Sequence, residues 1–157
     1  MTAAGTSTVE DELYREIILD HWRNPRLRGQ VEPADVTVEG NNPLCGDEVL
    51  LTMRVRDGAV EAIAFDGHGC SISRASASMM CEGVAGRSVD EAADLIRRFR
   101  AMMLEGAGAD DLGDLEALQG VARIPLRIKC AVLPWNALLE GLERGGGRVT
   151  TEEGPLT

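Results

Sequence analysis

Leu51-Thr52-Met53-Arg54-Val55-Arg56-Asp57-Gly58-Ala59-Val60-Glu61-Ala62-Ile63-Ala64-Phe65-Asp66-Gly67-His68-Gly69-Cys70 reads as a β-hairpin that ends on a cysteine. Leu51, Met53 and Val55 alternate with Thr52, Arg54 and Arg56, the period of a strand with one buried face. Asp57-Gly58 supplies the tight turn, and Ala59 to Phe65 returns with Ile63 and Phe65 on one side. Asp66-Gly67-His68-Gly69 then breaks the strand before Cys70. Upstream, Val36-Thr37-Val38-Glu39 is a further strand, and Gly40-Asn41-Asn42-Pro43 reads as a turn ahead of Cys45.

Helices flank this sheet. Leu13, Ile17, Ile18 and Trp22 share one side of a helix over about residues 8–22, entered through a Ser7/Glu10 capping box and ended by Asn24-Pro25. Residues 71–85 are rich in small side chains (Ser73, Ala75, Ser76, Ala77, Ser78), as expected of a buried helix pressed close to its neighbours. Ser88 and Glu91 form a second capping box, opening a helix to about residue 105. A short helix is expected over 114–119, and Ile124-Pro125 restarts structure. Pro134 either kinks one helix or opens a second that carries Trp135, Leu138, Leu139 and Leu142. Strands followed by helices, without repeat or linker, predict a two-layer α+β fold: a small antiparallel sheet packed against several helices. The expected divisions are a flexible leader (1–7), one domain (8–144) and a flexible tail (145–157) that begins at Gly145-Gly146-Gly147.

The chain has 157 residues, enough for one core, and only five aromatics, so that core rests on Leu, Ile, Val, Met and Ala. A net charge of -10 argues against a nucleic-acid partner. No apolar run is long enough for a bilayer, and the first eight residues have no basic segment followed by an apolar one. A cytoplasmic protein with free thiols or metal thiolates is expected.

The chemistry concentrates in Cys45-Gly46-Asp47, in Cys70 behind Gly67-His68-Gly69, and in Cys130. Three thiols and one carboxylate can fill a tetrahedral site for a thiophilic ion such as zinc, and they can also receive or hold sulfur. Gly46 lets Cys45 and Asp47 turn toward one point. Cys70 opens a helix, where free amide hydrogens favour its thiolate. Their sequence separation equally allows each cysteine to be a small buried hydrophobe.

These residues carry a resemblance. Asn41-Asn42-Pro43-Leu44-Cys45-Gly46-Asp47, Phe65 to Met80, and Arg127-Ile128-Lys129-Cys130-Ala131-Val132-Leu133-Pro134-Trp135 resemble the IscU/NifU N-terminal iron–sulfur cluster assembly family. Lys129 stands where ISC-type members carry a histidine, and the long interval before Cys130 accommodates an extra segment within residues 99–120. Both features favour the SUF-type branch, SufU. The resemblance implies a three-stranded antiparallel sheet backed by helices, with zinc bound by Cys45, Asp47, Cys70 and Cys130. It implies a zinc-dependent sulfurtransferase in which Cys45 accepts persulfide sulfur from a PLP-dependent cysteine desulfurase of the SUF type. There Cys45 leaves zinc when a desulfurase histidine takes its place, and downstream iron–sulfur assembly proteins receive the product. Two alternatives use the same residues: a scaffold for a transient [2Fe-2S] cluster, and a non-catalytic adaptor with structural zinc.

Other residues read less sharply. Arg127, three before Cys130, and Lys129 are candidates to stabilise the thiolates, against surface roles. His68 reads as loop packing or as a hydrogen-bond partner beside the ligands. His21 reads as structural or surface, and Cys81 as a buried free thiol, with a resolving thiol as its alternative.

Overall fold

The computed structural model describes residues 9–108 and 110–151. Four α-helices, α1 (Val9–Arg23), α2 (Ser71–Val84), α3 (Val89–Glu105) and α4 (Pro125–Arg144), pack against strands β1 (Val36–Asn42), β2 (Asp47–Arg56), β3 (Ala59–His68) and β4 (Gly147–Thr150). A 3-10 segment, Gly113–Arg123, precedes α4. The sheet order is β3-β2-β1-β4. Val38, Leu51, Met53, Val60, Phe65, Phe99, Trp135 and Leu138 lie in one buried core between the sheet and the helices. Phe99 stacks on Trp135 with ring centroids 4.4 Å apart. The Trp135 indole N–H donates to Ser76 Oγ (3.0 Å), which itself reaches the Ala131 carbonyl (2.6 Å). The serines of α2 thus allow close packing and still satisfy buried polar groups.

The two-layer α+β expectation holds. Ser88 and Glu91 form the reciprocal cap at the start of α3. The Ser7 half of the other capping box, the leader 1–7 and the end of the tail (152–157) lie outside the described residues.

Several boundaries move. β1 runs on through Gly40-Asn41-Asn42, opposite Val49, Glu48 and Asp47, so the turn falls later, at 43–46. β3 continues through His68. Pro134 lies inside a single helix, α4. It cannot donate to the Cys130 carbonyl one turn earlier, and burial of Val132, Leu133, Trp135 and Leu138 carries the helix past the gap.

The expected three-stranded antiparallel sheet is a four-stranded mixed one. β4 lies parallel to β1, pairing Val38 with Gly147 and Asn41 with Thr150. The glycine run closes α4 and then turns the chain back onto the edge of the sheet. Gly146 and Gly147 hold φ of 140° and 132°, open to glycine but not to other residues. Such a four-residue strand, paired across a hundred residues, leaves no periodic signal.

Leu13 and Trp22 face outward on α1, whereas His21 is fully buried. Its Nδ1 sits 2.8 Å from Ser78 Oγ of α2, and its Nε2 sits 2.9 Å from Asp114 Oδ2 of the 3-10 segment. Ser78 Oγ also accepts the Arg26 backbone N–H (2.8 Å). Both ring nitrogens are therefore engaged, and the imidazole pins α1, α2 and the 3-10 segment together. Replacing it leaves buried polar groups unpaired, so His21→Ala should lose about 2 kcal/mol in urea unfolding. A loss under about 0.5 kcal/mol, the range of ordinary surface changes, would contradict the pin.

Candidate metal centre

One end of the sheet gathers the chemistry. Asn42 ends β1, Cys45 occupies the turn, and Asp47 opens β2. Cys70 follows β3 as the N-cap of α2, and Cys130 lies in the second turn of α4. Gly46 takes a left-handed φ of 70°, which reverses the chain between Cys45 and Asp47.

Ligand atoms of Cys45, Asp47 and Cys130 all lie within 4.8 Å of one another. Cys45 Sγ and Cys130 Sγ are 3.4 Å apart. Cys70 stands outside that three-way set but is joined to it. Its backbone N–H donates to Asp47 Oδ1 (2.9 Å), and its sulfur accepts from the Ser73 backbone N–H (3.5 Å). All four cysteines are free thiols. Three thiols and a carboxylate, supplied by four separate points on the chain, form a donor set that suits zinc. The close approach depends on Gly69. A Cβ there would stand 2.6 Å from both Asp47 Oδ1 and Ser73 Oγ.

Burial divides the set. Asp47 is 1% exposed and Cys130 is fully buried, while Cys70 is half-buried and Cys45 exposed. Burial alone pushes the Asp47 carboxyl up. Donation by the Cys70 N–H, the Cys130 thiol, the Asn42 amide and the Ser73 hydroxyl overcomes that cost and holds it below the ordinary value. Asn42 Nδ2 donates to Asp47 Oδ2 (3.0 Å), and Ser73 Oγ lies 3.2 Å from Oδ1.

The thiols differ in the same way. The neighbouring Cys130 lowers the Cys70 pKa; burial opposes this, and the Ser73 backbone N–H at the start of α2 adds to the lowering, leaving Cys70 at about 6. Cys130 is pushed up, by the neighbouring Cys70 first and then by burial. Arg127 loses some hydration to burial, but the charges of Cys70, Cys130 and Cys45 outweigh this and raise its pKa. Its positive charge thus interacts with all three cysteines of the set.

The remaining sequence candidates lie apart. Lys129 is half-buried, and no hydrogen bond or ion pair joins it to the centre among the described residues. His68 is exposed at the end of β3, where its Nε2 lies 3.5 Å from Glu48 Oε2 across the strand pair. Among the described residues, no hydrogen bond or ion pair joins it to Cys45, Asp47, Cys70 or Cys130. Cys81 is fully buried in α2, its thiol pushed up by burial, and behaves as a small hydrophobe. Three further residues belong to the centre: Asn42, which the sequence presented as a turn residue, Ser73, which it presented as packing, and Thr151, whose hydroxyl meets the Asn42 amide. Only the short spacing of Asn42 to Asp47 and Ser73 to Cys70 hinted at the first two.

In the metal-free protein, Cys70 should be alkylated with a midpoint near pH 6, and Cys130→Ala, which removes the neighbouring donor, should move that midpoint toward the ordinary thiol range of about 8.5. A wild-type midpoint already near about 8.5 would contradict the lowering by Cys130.

The family described as NifU-like N terminal domain matches residues 13–144. The zinc-dependent sulfurtransferase SufU of Bacillus subtilis (strain 168) is 48% identical over 141 residues, covering 87% of this chain and 95% of that protein. The iron–sulfur cluster assembly scaffold protein IscU of Streptococcus pyogenes serotype M1 is 43% identical over 136 residues, covering 85% of each. Among solved structures, a candidate iron–sulfur cluster assembly scaffold protein for the SUF system from Fervidobacterium islandicum AW-1 superposes with a TM-score of 0.77. It is 34% identical and covers 82% of this chain and 95% of that one.

Proposed function

The chain belongs to the NifU-like N terminal domain family, and from that premise we propose that it is a zinc-dependent sulfur acceptor for iron–sulfur cluster assembly. Its sulfur donor in this reading is a SUF-type, PLP-dependent cysteine desulfurase, and the transfer takes place in the cytoplasm. The observation that carries the proposal is the unequal burial of one ligand set: Cys45 is exposed beside the buried Asp47 and Cys130. The likeness to the Bacillus subtilis sulfurtransferase supports it further.

Cys45, Asp47, Cys70 and Cys130 are the residues that would hold zinc. Bound there, the ion keeps the thiols deprotonated at neutral pH while restraining them. Asp47 gives an oxygen donor that cannot itself accept sulfur, and the Cys70 backbone N–H, the Asn42 amide and the Ser73 hydroxyl favour its ionised form. Cys130 anchors the set from within α4. Cys45 is the member that a second protein can reach. Its thiolate attacks the terminal sulfur of the donor's persulfide. The donor S–S bond breaks, the donor cysteine leaves as a thiolate, and Cys45 becomes the persulfide. No net oxidation or reduction takes place. Arg127, whose charge interacts with all three cysteines, balances the negative charge that accumulates during transfer. Leu44, Ile124 and Leu126 are exposed apolar side chains on the turn that carries Cys45 and at the start of the helix that carries Cys130. A donor enzyme docking around the thiols would cover them.

Two measurements check this reading. The native protein should stimulate a SUF-type desulfurase and acquire a persulfide on Cys45, and Cys45→Ser should abolish both. A folded, zinc-loaded protein with neither property would contradict it. Zinc competition should show Asp47→Ala holding the ion at least about tenfold more weakly, since even partners that only orient ligands count for that much. Unchanged affinity would remove Asp47 from the ligand set.

A further inference from the structure

The residue just after β4 reaches the metal centre with its side chain. Thr151 follows the last residue of β4 and is 5% exposed. Its backbone N–H donates to the Asn41 carbonyl (3.1 Å), which extends the β1–β4 ladder by one bond. Its hydroxyl donates to Asn42 Oδ1 (2.8 Å). The same Asn42 amide donates from Nδ2 to Asp47 Oδ2 (3.0 Å) and toward Cys130 Sγ (3.5 Å). Asn42, Asp47 and Cys130 are each no more than 1% exposed, so water does not take the place of any of these partners.

The polarity of the chain follows from its ends. Asp47 is an ionised carboxylate and only accepts, so the amide must turn its NH2 edge toward the centre. Its carbonyl edge then faces away, into a buried space where Thr151 supplies the donor. With that hydroxyl present, one amide orientation satisfies every group. Without it, Oδ1 is left buried and unpaired, and the orientation that serves Asp47 and Cys130 loses its advantage over others.

We infer that Thr151 is a positioning residue for the centre: by holding the Asn42 amide in one orientation, it couples the docking of β4 to the placement of the two buried ligands, Asp47 and Cys130. The inference rests on the reading of Cys45, Asp47, Cys70 and Cys130 as a metal-binding set. It gives a function to the segment after Gly145-Gly146-Gly147, which the sequence presented as a tail. It also explains how a four-residue edge strand bears on zinc retention: when β4 leaves β1, the donor to Asn42 leaves with it. The exposed ligand, Cys45, joins the same groups from outside: its backbone N–H donates to the Asn42 carbonyl (3.2 Å), and its sulfur lies 3.4 Å from Cys130 Sγ. The Asn42 side-chain amide, which Thr151 holds, meets the two buried ligands directly, so β4 acts first on Asp47 and Cys130.

The test compares Thr151→Val, close to threonine in shape but without the hydroxyl, with Thr151→Ser, which restores it. In competition with a chromogenic chelator, the valine variant should hold zinc about tenfold more weakly than wild type, the effect expected of partners that orient metal ligands, and the serine variant should recover most of that. With cobalt in place of zinc, the sulfur-to-cobalt charge-transfer bands should shift in the valine variant and return in the serine variant, a signature that a general loss of stability does not produce. The zinc-free proteins supply a reading independent of metal. Mass spectrometry should show Cys130 alkylated several-fold faster in Thr151→Val than in wild type or Thr151→Ser. If wild type bound no zinc at all, the metal-centre reading would fail and the alkylation rates would still decide the role of Thr151. Equal Cys130 alkylation in all three proteins, or a serine variant as impaired as the valine variant, would overturn the inference.

Discussion

A buried carboxylate has to be satisfied where it stands, and Asp47 is satisfied by groups from across the fold. Asn42 reaches it from the end of β1, while Ser73 and the Cys70 backbone reach it from the start of α2. The Cys130 thiol approaches from α4. Burial costs the charged form, and these donors together outweigh that cost. The end of the hairpin, the start of α2 and the start of α4 are therefore tied to one point. Gly69 and Gly46 allow the chain to come that close.

The same constraint separates the thiols into roles. Cys130 sits fully buried in a long helix, one turn ahead of Pro134, with its sulfur 3.4 Å from that of Cys45. Cys45, on a turn, is the most exposed cysteine of the set. A group-transfer protein needs this asymmetry, because a ligand set that is equally buried throughout would hold an ion well but meet no partner. Arg127 adds a fixed positive charge beside the set without competing as a ligand, since a guanidinium has no lone pair to offer.

Much of this could be read along the chain. The hairpin from β2 to β3, the small-residue helix α2 with Cys70 at its start, and the Ser88/Glu91 cap follow from local rules of period, turn and cap, and the structure bears them out. The approach of Cys45, Asp47 and Cys130 followed from motif resemblance and not from spacing, which left isolated buried cysteines equally open. What escaped the sequence depends on distant partners. β4 needs the edge of β1, and four residues after a glycine run carry no period. His21 could not be recognised as a pin until Ser78 and Asp114 were placed around it. Asn42 and Thr151 are ordinary polar residues whose meaning comes from one contact across 109 positions. Leu13 and Trp22 matched the apolar stripe of α1 and still face outward, because periodicity reports a helix face but not which part of it is covered.

The central claim is that one sheet end and two helices bring three sulfurs and one carboxylate oxygen onto a single ion. X-ray absorption at the zinc edge of the purified protein tests it directly. The account predicts a first shell of three sulfurs at about 2.3 Å and one oxygen at about 2.0–2.2 Å. A shell of four light atoms, or one with a single sulfur, would contradict it, because the fold would then have gathered these residues without using them.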